Sequence, residues 1–166
     1  MKDQNLRTYL NDHPAGAEAG LQLAKDCRDH NPTGALHDFL SALVAEIEED
    51  IDHLERLHGR LHSAENPLKK ASAWLFSKVS RLKLETALLE YSDLTRLEEL
   101  EALMLGAQGK LTLWHTLDSV CASDLRFDDV DFDRLQHRAQ RQLEGLKKHH
   151  LEAAACHAFN ENVEAA

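Results

Sequence analysis

The chain has 166 residues and a formal net charge of −10, so it lacks the net basic footprint that phosphate recognition needs, and nucleic acid is not an expected partner. Three widely separated cysteines, Cys27, Cys121 and Cys156, supply neither a disulfide framework nor close-spaced zinc ligands, and no stretch approaches the roughly 20 apolar residues of a membrane span. Abundant leucine and alanine with scarce proline and glycine predict a single all-α domain over 1–166; the polar start MKDQNLRTYLNDH and the odd cysteines predict a soluble, cytoplasmic setting.

The first predicted helical segment covers 3–29, with Leu6, Leu10, His13, Ala17, Leu21 and Ala24 near one face. Pro14 either kinks it, or Asp12 caps a fresh start there, because proline is tolerated in a first turn. The loop HNPTG ends the segment. A second helix is predicted over 35–62, with the seam Leu36, Leu40, Leu43, Ile47, Asp50, Leu54, Leu57 and Leu61 in steps of three and four.

A link of 66–92 follows, too long for a bundle turn. Within it, 67–83 predicts a short amphipathic helix made basic by Lys69, Lys70, Lys78, Arg81 and Lys83. Such a piece suits either a membrane surface or a crossover whose Trp74, Leu75, Val79 and Leu82 pack on the bundle. In an acidic chain, charge complementarity favours the crossover, and membrane binding is not expected. The third long helix is predicted over 93–120, with Leu97, Leu100, Met104, Ala107, Leu111 and Trp114 inward. The fourth is predicted over 131–159, with Phe132, Leu135, Ala139, Leu143, Leu146 and Ala153 inward and aspartates before it as caps.

Short loops make the first and last pairs antiparallel hairpins, while the long link is able to span the height of a bundle. The small-residue stretches AGAEAG (15–20) and GAQG (106–109) cost helix stability, which close approach of two backbones would explain. The fourth helix carries Arg134, Arg138, Arg141, Lys147 and Lys148; this run is either a solvated face or a dock for an acidic partner, such as a second copy in a homodimer.

The stretch AEIEEDIDHLERL (45–57) has two faces. Glu48, Asp52 and Glu55 point away from the leucine seam and need only water. Asp50 occupies a seam position, one heptad from both Leu43 and Leu57, with Glu46 and His53 flanking it. A buried ionised carboxylate requires a partner. In the first hairpin facing positions sum to about 64, which levels His13 with Asp50 and Glu18 with Glu46. The structural reading is then a hydrogen bond from His13 or His53 to Asp50. The chemical reading is a carboxylate–imidazole cluster suited to iron, manganese or zinc. A sum of about 251 in the second hairpin pairs Glu101 with His150.

The helix lengths, the long link and the Asp50-x-x-His53 step together resemble the ferritin-like superfamily, in particular its small bacterial four-helix-bundle proteins of largely unassigned activity, some of them stress-associated. The resemblance implies a ferritin-like four-helix bundle with a short extra helix in the crossover, in which helices two and three run parallel. It also implies a di-metal ligand set that would fall on Glu18, Asp50 with His53, and Glu101, with Glu46 adjacent and His13 beside Asp50. Helix four departs from the pattern, since none of its acids and histidines forms a Glu-x-x-His step. The leading expectation is therefore a non-enzymatic structural or interaction bundle, stress-related by resemblance, with no cofactor and no catalytic residues. Its alternative is a di-iron or di-manganese protein with redox or oxygen chemistry.

Overall fold

Leucine stripes with three- and four-residue spacing are buried by packing helices on one another. A computed structural model of the chain describes residues 2–11, 13–61 and 91–155. Its described elements are α1 (Lys2–Asn11), α2 (His13–His30), α3 (Ala35–Arg60), α4 (Asp93–Cys121) and α5 (Phe132–Ala153), with a 3-10 turn at Leu125–Phe127. No strand occurs among the described residues. The predicted first segment is two helices, and Pro14 sits buried in the first turn of α2, where its missing N–H costs no helical bond. The expected basic helix over 67–83 lies outside the described residues, as does the predicted end of the fourth helix beyond residue 155.

Local chemistry sets the ends. Gly34 precedes α3 at φ 88°, a left-handed conformation that suits glycine, and turns the chain back on α2. The Ser92 hydroxyl accepts from Thr95 N at 3.1 Å to cap α4, and the Asp131 carboxylate accepts from Arg134 N at 2.9 Å to cap α5.

Contacts run in a ring, α2 to α3, α3 to α5, α5 to α4 and α4 back to α2, with α1 against α2 and α3. Asn31, after α2, shows which way α4 runs. Its Nδ2 donates to Cys27 O at 2.7 Å and to Tyr91 Oη at 2.9 Å, and its Oδ1 accepts from Arg96 Nε at 2.7 Å. The start of α4 is thereby tied to the α2–α3 turn. At the opposite end, Arg60 of α3 grips the α4–α5 connection, donating to Arg126 O at 2.7 Å and to Asp129 Oδ2 at 2.8 Å. Thus α3 and α4 run in the same direction, neighbours in the ring are antiparallel, and the two ends joined by 62–90 lie at opposite ends of the bundle.

Among the described residues, two apolar clusters form the core. The cluster near the α2–α3 turn includes Leu23, Leu40, Leu43, Leu100, Leu103 and Leu146, and the far one Leu10, Leu57, Trp114, Leu117, Phe127 and Leu135. Between the clusters α3, α4 and α5 contribute the polar residues Asp50, Lys110, Arg138 and Gln142.

Glu99 of α4 is a second buried acid, 2% exposed, and accepts from Tyr91 Oη at 2.9 Å. Burial pushes its carboxyl pKa up, although the Tyr91 and Cys27 side chains and the charge of His30 oppose the shift. An acid raised in the folded state contributes stability that is complete below its unfolded value and lost as pH rises through its folded value. Glu99→Gln, neutral at every pH, should therefore gain stability relative to the parent as pH rises from about 4 towards neutrality. Urea unfolding across that range checks this, and a difference independent of pH would contradict it.

Candidate functional site

The heptad position of Asp50 places its carboxylate inside the ring, and it is 4% exposed. Charges from two other helices meet it there. Lys110 Nζ of α4 donates to Oδ2 at 2.6 Å, and Arg138 Nη2 of α5 donates to Oδ1. Arg138 reaches outward as well, with Nη1 donating to Glu49 Oε2 at 2.6 Å. Gln142, one turn on, accepts from Lys110 and donates its Nε2 to Glu46 Oε2 at 2.6 Å. The result is a continuous chain from Glu49 through Arg138, Asp50, Lys110 and Gln142 to Glu46. Burial pushes the Lys110 ammonium pKa down, and the Asp50 carboxylate beside it opposes that shift.

These partners differ from the histidines expected. His13 shares a cavity wall with Asp50, as the hairpin register predicts, and its ring meets Tyr9 edge-on at 4.9 Å. His53 is half-buried, and its pKa is pushed down first by burial and then by the charges of Arg56 and Arg138. Glu46 is half-buried and held through Gln142. Glu18 is exposed, and so is Glu101, whose Oε1 stands 3.9 Å from His150 Nε2 in the pairing that the second hairpin predicts. Glu48, Asp52 and Glu55 are exposed, as their face requires. Among the described residues, no group of three or more His, Cys, Asp or Glu is gathered as a metal ion would need. Glu18, Glu46, Asp50, His53 and Glu101 form no such group, and both oxygens of Asp50 accept from Lys110 and Arg138.

Lys110 lies between Ala107 and Leu111, inside an inward-facing run, and Arg138 stands one turn after Leu135. Those seam positions are the sequence signal for the true partners. Arg138 is 4% exposed, so it does not belong to a solvated basic face.

A cavity of about 300 Å³ adjoins this ionic chain. The small-residue stretches of α2 and α4 form two of its walls through Gly16, Ala17, Gly20, Gly106 and Gly109. Added at Gly20, Gly106 or Gly109, a Cβ atom would meet nothing within 4 Å. The expectation of close backbone approach is therefore corrected: these glycines leave space. Towards one end the polar groups His13, Asp50, Lys110 and Gln142 stand beside Leu54, Leu113 and Trp114, and the other end is closed by Leu23, Leu43, Leu103 and Leu146. The polar and apolar ends are separated on α2 by ten residues, His13 to Leu23, or about 15 Å at about 1.5 Å per residue. Leu105 and Gly109, both exposed, mark its open side.

Removing the carboxylate between Lys110 and Arg138 leaves Lys110 without its charge partner and the buried Arg138 with only the exposed Glu49. Asp50→Ala should destabilise the fold by about 3–5 kcal/mol, while Glu18→Ala and Glu101→Ala each stay within about 0.5 kcal/mol of the parent. Denaturant unfolding measures all three, and equal effects would contradict the assignment. No protein-family model matches this chain, and no curated protein or solved structure matches it either.

Proposed function

We propose that the protein is a non-enzymatic, cytoplasmic bundle of ferritin-like wiring that binds a small apolar molecule in the chamber between α2 and α4. The observation that carries this reading is the unfilled space above Gly20, Gly106 and Gly109. Glycine inside a helix costs about 1 kcal/mol relative to alanine, and alanine would fit at each of these positions without a clash. Stability is forgone at three places around one cavity, which is what a ligand chamber requires and a purely structural core does not. Its volume, its largely apolar lining and its few convergent polar groups are those of a small-molecule site between the helices of a bundle.

The shared direction of α3 and α4, with antiparallel neighbours, supports the ferritin-like wiring. The buried Cys27 thiol, outside any disulfide, suits a reducing compartment. A di-iron or di-manganese centre is the weaker reading, since Lys110 and Arg138 occupy both oxygens of Asp50.

Gly20→Ala and Gly106→Ala should each stabilise the protein by about 1 kcal/mol, whereas the larger Gly106→Leu should fill the chamber. Ligand-observed NMR with naphthalene, a neutral probe of matching size, should detect binding to the parent and its loss in Gly106→Leu. Absence of binding to the parent, or equal binding to both, would overturn the chamber reading.

A further inference from the structure

The ionic floor of the chamber presents one cation to the cavity. Arg138 is buried and paired with Asp50 and Glu49, while Lys110, its side chain 17% exposed, lines the chamber wall beside Asp50. Glu49 and Glu46, which complete the chain, retain 59% and 34% side-chain exposure, so water screens their charge. An ammonium group has three N–H donors, and Lys110 spends two of them on Asp50 and Gln142. Its third has no partner among the described residues, and Lys110 is part of the chamber wall. Trp114 lies at the same end, 1% exposed, with an indole Nε1 that has no hydrogen-bond partner among the described residues. Of these two, Lys110 is the donor on the chamber wall that a ligand acceptor can meet.

The rest of the chamber is alkyl. Beyond the polar end its walls are the glycine and alanine stripes of α2 and α4, then Leu23, Leu43, Leu103 and Leu146. A site with a cationic donor and about 10 Å of apolar wall beyond it, the seven residues of α4 from Lys110 to Leu103, selects an amphiphile, with its acid group at Lys110 and its chain running towards Leu23. At about 30 Å³ per water-sized group, a volume of about 300 Å³ holds about ten such groups, which matches a carboxylate on a chain of about eight carbons.

We propose that the ligand is a free medium-chain carboxylic acid, bound as its anion with the carboxylate at Lys110 Nζ and the alkyl chain along the glycine-lined wall. This assignment rests on the chamber being a binding site. It adds the chemistry of the head group: the ligand carboxylate accepts the remaining Lys110 proton and meets its charge. Asp50 and Gln142 hold the ammonium in place, so the ligand meets a positioned charge rather than a mobile side chain.

Calorimetry with octanoate, 1-octanol and octylammonium, with naphthalene as the neutral reference, tests the head-group assignment. Octanoate should bind the parent at least tenfold more tightly than octanol, and octylammonium more weakly than both. Lys110→Met keeps the aliphatic stem and leaves Asp50 paired with Arg138; it should reduce octanoate to the affinity of octanol and leave naphthalene unchanged. Gly20→Leu, on the alkyl wall, should abolish octanoate binding whether or not Lys110→Met folds. Equal binding of octanoate and octanol to the parent, or preference for octylammonium, with naphthalene still bound, would overturn the acid assignment and leave the chamber reading standing. Undiminished octanoate binding in Gly20→Leu would likewise overturn the assignment, and failure of naphthalene and every amphiphile to bind would overturn both.

Discussion

A carboxylate at a leucine position constrains everything around it. Asp50 has Leu43 and Leu57 one heptad to either side and is almost fully removed from water, so its charge has to be met inside the bundle. Lys110 of α4 and Arg138 of α5 meet it. Taking such charges out of water offsets most of what their attraction returns, so the cluster is not chiefly a source of net stability. Its effect is selective. A shift of α4 or α5 by one turn, about 5.4 Å, would leave a buried charge without its partner. The ionic contacts therefore fix the register of three helices that leucine packing alone would hold less strictly.

The division of the core follows from this. Apolar clusters fill the two ends of the bundle, and the ionic chain crosses between them. Arg138 and Gln142 span from α5 to α3, while α2 opposite them is reduced to glycine and alanine. The chamber lies where long polar side chains face a helix with little side-chain volume. Its position and its polar end have the same origin, which joins the architecture to the proposed ligand chemistry.

The helical elements were legible in the sequence because leucine spacing, Gly34, Ser92 and Asp131 all act locally. Short hairpins extend that legibility, which is why Glu101 comes near His150 and why His13 and Asp50 share a wall. Register across 62–90 is a different problem. No local rule counts residues through a long connection, so the partners of Asp50 could not be located and nearby histidines were expected instead. Lys110 sits inside an apolar run and Arg138 inside a basic one, and each was masked by its neighbours. The glycines were misread for another physical reason. A missing Cβ allows either a close backbone approach or an empty volume, and helical spacing is the same for both.

The central claim is that Asp50 is energetically coupled to the cations that meet it. A double-mutant cycle of Asp50→Leu and Arg138→Leu, in the Lys110→Met background so that Lys110 does not compensate Asp50, measures that coupling directly by denaturant unfolding. The account predicts that each single change is costly and that the double variant recovers stability, with a coupling energy of about 1–3 kcal/mol. Losses that add to within about 0.5 kcal/mol would contradict it.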